Sequence, residues 1–291
     1  MTRLLWTQRA NFGPPERNFH SMVYQIKQQR VLLWGGAGLG AKGILGDTWE
    51  WDGTNWTQVA DMGPVGLGAM VYDDDRALVV LVDESRNTWE WDGLEWIQVA
   101  ADGPVVTPGA MAYEGSRKRT VAFEASSSGA GVPGRTWEWD GVEWTQVADT
   151  GPSSRSGHAV VRDDARNCLV LFGGSDVAQA TIFGDTWTWD GQRWQQRASF
   201  GPAARAEHAM TNDTGRSRVV LFGGVGSADP FSDTWDWDGT RWVQVQDIGP
   251  SGRKDHSIAY DAARKRIVLF SGTRRGNPAL IPDTWELVEL P

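Results

Sequence analysis

The sequence holds a single cysteine, which excludes an intrachain disulfide. Cys168 lies in the apolar run "CLVLF" and reads as a buried small hydrophobe. No stretch approaches the roughly 18 consecutive apolar residues of a membrane span, so no membrane partner is expected. The opening "MTRLLWTQRA" has too short an apolar run for a secretion signal. A cytoplasmic location is therefore expected of the chain as given, unless such a signal has been trimmed. Basic charge is in deficit: 28 Lys and Arg stand against 37 Asp and Glu, for a net charge of −9. A broad phosphate-backbone footprint needs the opposite balance, so nucleic acid is not an expected partner. There is no CxxC, no HExxH and no Ser/His/Asp order, and neither a metal nor a cofactor is expected. "GLGAKG" (38–43) matches GxGxxG, but it precedes a strand rather than a helix and makes no dinucleotide site. Helical periodicity is missing throughout.

Tryptophan is abundant: there are 18, and 17 of them recur in register. "DTWEWDGTNW" (47–56) returns as "NTWEWDGLEW", "RTWEWDGVEW", "DTWTWDGQRW" and "DTWDWDGTRW". The last Trp of the phrase falls at 56, 96, 144, 194 and 242, with Trp6 as a sixth. The period is about 40–50 residues, the length of a four-stranded propeller blade. The unit after Trp144 shows the pieces: "WTQVA", a Gly-Pro break, "HAVVR", the turn "DDAR", "NCLVLFGG", a loop, then "DTWTWD". Many short strands with regular turn signals predict an all-β fold. The chain stops at "DTWELVELP", where another "WxQ" strand is due, and "LLWTQ" (4–8) supplies it. A ring closed by the N-terminal strand joining the last blade follows, with no open sheet edge between blades.

Gly-Gly, a variable loop, an aromatic, six residues and a Trp form the pattern carried by Gly173-Gly174, Trp187 and Trp194, and by Gly35-Gly36, Trp49 and Trp56. This resembles the Kelch repeat family, with Trp where Kelch repeats usually have Tyr. The resemblance covers the whole chain and implies one six-bladed β-propeller domain over residues 1–291, with four antiparallel strands per blade. Monomeric behaviour is expected.

A position filled in nearly every blade serves the blade, so the tryptophans read as packing and "WDGxxW" as a hairpin turned by Asp-Gly. All four Tyr (24, 72, 113, 260) share one repeat position, and all four His (20, 158, 208, 256) share another. The "DxxR" pairs, such as Asp73/Arg76, read as charges that stabilise hairpin turns.

Antiparallel alternation puts the short 1–2 and 3–4 turns on one face and the 2–3 and 4–1 loops on the other. The second face varies, with 2–3 loops at 35–47, 83–87, 124–136, 173–185, 223–233 and 271–283, and variable loops on a rigid scaffold carry function. Its 4–1 loops read "RxxH", with Arg17, Arg155, Arg205 and Arg253. Guanidiniums near a concave mouth suit carboxylate or phosphate, and the Kelch resemblance implies a binding face here. A local acid or a neighbouring blade is the other possible partner for each. Blades two and three depart from the rule: Val65 and Val106 replace Arg, Gly68 and Gly109 replace His, and Asp83 and Glu124 replace the first glycine of "GG", giving Val82-Asp83-Glu84 and Phe123-Glu124-Ala125. The two acids are expected as neighbours at the mouth, able to do acid/base work or hold a hard cation, or else as solvated drift.

The leading expectation is a binding module for an acidic peptide or small anionic ligand, held by Arg17, Arg155, Arg205, Arg253 and Arg274, with Arg275 and Phe231 adding contacts. The alternative is a small-molecule enzyme, an isomerase or epimerase or a metal-assisted lyase, with Asp83 and Glu124 as catalytic candidates. A bare scaffold is the third reading.

Overall fold

The computed structural model describes residues 3–10, 12–39, 43–124, 131–176, 180–198, 200–275 and 280–290. Ala125 and parts of the 35–47, 124–136, 173–185 and 271–283 loops lie outside the described residues.

The first strand is β1 (Arg3–Ala10). Blade one is β2 (Ser21–Gln25), β3 (Arg30–Trp34), β4 (Thr48–Trp51) and β5 (Trp56–Ala60). Blade two is β6 (Gly68–Asp73), β7 (Leu78–Asp83), β8 (Thr88–Trp91) and β9 (Trp96–Ala100). Blade three is β10 (Met111–Glu114), β11 (Arg119–Glu124), β12 (Arg135–Trp139) and β13 (Trp144–Ala148). Blade four is β14 (Ala159–Asp163), β15 (Cys168–Phe172), β16 (Thr186–Trp189) and β17 (Trp194–Ala198). Blade five is β18 (Ala209–Asp213), β19 (Arg218–Phe222), β20 (Thr234–Trp237) and β21 (Trp242–Gln246). Blade six is β22 (Ser257–Asp261), β23 (Arg266–Phe270) and β24 (Thr284–Leu290), completed by β1.

The six sheets are antiparallel meanders, and the first strands of the blades (β2, β6, β10, β14, β18, β22) adjoin one another around the central channel. The fold is the expected six-bladed propeller. Closure is also as expected: β1 pairs with β24, with Leu5 opposite Val288 and Trp6 opposite Leu287. No helix long and apolar enough to cross a membrane is found among the described residues.

The three tryptophans of each phrase do three jobs. The second (Trp51, Trp91, Trp139, Trp189, Trp237) is fully buried between blades. The third donates its Nε1–H to a threonine of the preceding blade. Trp56 reaches Thr284 at 2.9 Å, Trp96 Thr48 at 2.9 Å, Trp144 Thr88 at 2.8 Å, Trp194 Thr136 at 2.8 Å, Trp242 Thr186 at 2.9 Å and Trp6 Thr234 at 3.0 Å. These bonds form a closed ring through every blade interface, each contributing about 1 kcal/mol net. The Gly-Pro step supplies room for the indole: a Cβ on Gly249 would stand 2.5 Å from Trp6, and one on Gly13 2.6 Å from Trp56. The first tryptophan is half-buried and donates to an acid.

The turn face is knitted the same way. In "WDGTN", Asp52 Oδ1 accepts from the amides of Thr54 at 2.7 Å and Asn55 at 2.8 Å, and Gly53 turns the chain at φ 98°. The DxxR arginines do more than pair with the turn acid. Arg264 bonds Asp261 at 2.7 Å and Glu286 at 2.5 Å, and packs on Gly53 of the next blade. The tyrosines reach the preceding blade's turn: Tyr24 accepts from Ala263 N at 3.2 Å, and Tyr113 donates to Asp75 at 2.7 Å. Cys168 departs from expectation. It begins its strand beside the hairpin turn and is half-buried, and burial pushes its thiol up to about 11.

Candidate functional site

The four RxxH arginines are fully buried inside their own blades. Arg17 donates through Nε to the Pro15 carbonyl at 3.0 Å, through Nη1 to the Gly35 carbonyl at 3.0 Å, and through both Nη atoms to Asp47 at 2.7 and 2.8 Å. Arg155–Asp185, Arg205–Asp233 and Arg253–Asp283 repeat the arrangement. Each carboxylate also accepts the first tryptophan's Nε1–H, as Asp47 does from Trp49 at 2.6 Å. Burial pushes Asp47, Asp185 and Asp233 up, but the arginine bonds outweigh it and hold all three below the usual carboxylate range. Phe183 and Phe231 cover two of the guanidiniums, at 3.9 and 4.0 Å. The arginines expected to face a ligand therefore serve the scaffold, and Phe231 serves it with them. Arg274 lies in a recess with Gln8, Ser251, Ile281 and Trp285, beside the outermost strands of blade six. Arg275 pairs with Asp229.

Blades two and three solve the same problem with exchanged parts. Val65 and Val106 stand where the arginine would be, and Asn87 and Arg135 stand where its aspartate would be. The acid for the tryptophan comes from the glycine position instead. Asp83 accepts from Trp89 Nε1 at 2.9 Å, Asn87 N at 2.9 Å and Asn87 Nδ2 at 3.1 Å. Glu124 accepts from Trp137 Nε1 at 2.8 Å and Val105 N at 2.9 Å, with Arg135 at 3.5 Å. Gly35, Gly173 and Gly223 have positive φ, whereas Asp83 and Glu124 continue their strands, which aims the carboxylates back at the indoles. Asp83 and Glu124 are each taken up by local donors, and neither lines the cavity at the mouth. Among the described residues no group of three or more His, Cys, Asp or Glu is placed to hold a metal.

The mouth is built by the residue before each repeat histidine. That position holds Phe19, Leu67, Pro108, Gly157, Glu207 and Asp255, one per blade, and all six line one cavity of about 340 Å³. The ring is amphipathic: blades one to three give apolar side chains, and blades five and six give carboxylates. Glu84, Val106, Thr107 and Ser156 add to the wall, with His208 and His256 below. Backbone bonds fix the arc, from Phe19 N to Asp255 O at 3.0 Å, Asp255 N to Glu207 O at 3.0 Å and Glu207 N to Gly157 O at 2.7 Å. Lys254 Nζ lies 2.6 Å from Glu207 and 3.6 Å from Asp255. Burial, with Glu207 adding to it and Lys254 opposing, pushes Asp255 up to about 7.

All four histidines are buried, and their ring nitrogens lack hydrogen-bond partners of good geometry. Each stacks edge-on against a phenylalanine of the preceding blade, as His208 does on Phe172 at 5.4 Å. Burial first, then the neighbouring arginine, pushes His20 and His158 down to about 3, against a weak pull from nearby carbonyls. His208 and His256 also lie well below the ordinary value. The four histidines thus pack as neutral rings against aromatic neighbours. His208 and His256 also line a second chamber of about 280 Å³ that opens toward the turn face, which makes them the floor between two halves of the channel.

Of the sequence-derived positions, Val106 lines the mouth; Phe19, Glu207 and Asp255, which also line it, are not among them. The signal available was the residue before each histidine, where the unit otherwise repeats but the side chain changes class from blade to blade.

A ring of blades with an amphipathic cavity at its loop-lined mouth defines a six-bladed β-propeller with a concave site on its variable-loop face. Residues 134–287, more than half the chain, match the KLHDC2/KLHL20/DRC7 Kelch-repeats domain, and the chain belongs to this Kelch-repeat family. No curated protein matches the chain.

Proposed function

We propose that this propeller is a protein-interaction module that receives a segment of its partner at the channel mouth on the variable-loop face. Kelch propellers generally bind protein partners, and the mouth cavity carries the reading here. Its volume of about 340 Å³ suits a few side chains of an inserted segment. It joins an apolar wall to a small set of polar groups, as binding pockets do. An acidic peptide or small anion, the ligand class first suggested by the arginines, has less support. Those arginines are internally paired, and Lys254 at the mouth already bridges two carboxylates. The catalytic reading of Asp83 and Glu124 is weaker still, since both carboxylates are occupied by scaffold donors.

A plugged mouth tests the proposal. Thr107 stands in the wall with a buried hydroxyl that bonds nothing, while its carbonyl holds Ala110 N at 3.0 Å. Thr107→Trp therefore fills the cavity and keeps the backbone bond. Peptides selected from a displayed random 12-residue library on the unmodified protein should lose at least tenfold in affinity for Thr107→Trp. They should bind normally to Leu94→Ser, changed at an exposed turn on the opposite face. Equal binding to the plugged protein would refute the mouth as the recognition site.

A further inference from the structure

The sign of the mouth is opposite to the one the repeat arginines suggested. Three carboxylates, Glu84, Glu207 and Asp255, line the cavity, and one ammonium, Lys254, pairs with the last two. Acids alone would be unremarkable on a chain of net charge −9. Here they share their cavity with His208, 6% exposed, whose ring nitrogens have no hydrogen-bond partner among the described residues, and with His256, 5% exposed, which has only the Phe222 carbonyl nearby. A buried polar atom without a partner costs free energy that a bound donor recovers. Both rings are held neutral by burial and by Arg205 and Arg253, so each offers a lone pair rather than a repelling charge.

On these grounds, and resting on the mouth being the recognition site, we infer that the cavity takes an arginine or lysine side chain of the partner protein. Its aliphatic stem lies along Phe19, Leu67 and Pro108, and its cationic head reaches Glu207 and Asp255. Long basic side chains match this division, with an apolar stem and a charged tip. Lys254 shows within the chain that Glu207 accepts an ammonium at 2.6 Å, with Asp255 at 3.6 Å. A guanidinium adds planar, bidentate bonding, which ranks arginine above lysine. A carboxylate-bearing segment meets repulsion in the same place.

Proton linkage separates this inference from simple apolar docking. Asp255 is raised toward neutrality and faces Glu207, Lys254, Glu84 and the neutral His208 and His256. A cation binds its ionised form, so affinity rises as the pH passes upward through about 7. An uncharged apolar segment has no such dependence.

The experiment uses peptides from the library selection whose capture is lost with Thr107→Trp. The expected result is a basic residue common to them, with at least tenfold weaker binding when it is changed to norleucine or glutamate. Asp255→Asn and Glu207→Gln should each weaken the unmodified peptide about tenfold while leaving the melting temperature within a few degrees. Affinity should be roughly tenfold lower at pH 6 than at pH 8, and this difference should vanish in Asp255→Asn. Plug-sensitive peptides that are neutral or acidic would overturn this inference and leave the mouth reading intact. A library yielding no plug-sensitive peptide would overturn both.

Discussion

A guanidinium is available to a ligand only if its donors are not already spent. Arg205 spends Nε on the Ala203 carbonyl, Nη1 on the Gly223 carbonyl and Asp233, and Nη2 on Asp233 again. The sequence showed the arginine and showed the aspartate of "DTW". It did not show that 28 to 30 residues of chain fold back to join them. The departures in blades two and three were legible as departures, since Val65, Asp83 and Asn87 all break register. Their meaning needed coordinates, because the three changes compensate one another in space. Arg205→Ala should therefore act on stability: Asp233 loses its partner and Phe231 its cover, at a cost of about 3 kcal/mol. Calorimetry should show a melting temperature lower by several degrees. An unchanged melting temperature would return Arg205 to the ligand-binding candidates. A milder change probes the indole ring: Thr186→Val keeps the shape but orphans Trp242 Nε1, costing about 1–3 kcal/mol.

At the scale of the element, the same left-handed backbone serves two ends of the inner strands differently. Each 1–2 turn ends on a non-glycine residue at positive φ: Gln29, Ala77, Lys118, Asn167, Ser217 and Lys265. At the mouth, Phe19, Glu207 and Asp255 also have positive φ, at 55°, 59° and 55°, where blade four uses Gly157 at 63°. Glycine is the unstrained choice at either end. Ser217→Gly should raise stability by about 0.5–1 kcal/mol, since the turn keeps its backbone bonds and loses only strain. Glu207→Gly should gain a similar amount, less the lost Lys254 pair, and should weaken partner binding. Denaturant midpoints on both variants, with peptide affinities alongside, check the contrast. Loss of affinity in Ser217→Gly would contradict the assignment of the two faces. The strands, turns and blade order were readable in advance because the periodicity of 2 and the repeated Asp-Gly are local signals. The mouth ring was not, since its six members are neighbours only once the ring closes.

For the whole molecule, the buried histidines couple folding to pH. His20 and His158 are pushed down to about 3 in the fold, and His208 and His256 are lowered as well. Unfolded, all four return to the ordinary value near 6.5. Below that value the unfolded chain binds protons that the native state refuses, so stability is full above about pH 6.5 and falls as the pH drops toward 3. Asp255 runs the other way: raised to about 7, it binds a proton in the fold that the unfolded chain releases above about 4. Asp74, raised to about 6 but exposed at the turn face, is screened by water and adds little. Near pH 5.5 the unfolded state thus holds more protons than the native one, and stability falls as the pH drops. The arginine-held carboxylates Asp47, Asp185 and Asp233, being lowered, add further loss below about pH 4. Urea midpoints measured from pH 7.5 to 5 should fall steeply below pH 6.5, well before carboxylates protonate in ordinary proteins. A curve that stays flat to pH 5 would mean that the histidines find proton partners in the fold, and with them the neutral floor of the mouth would be lost.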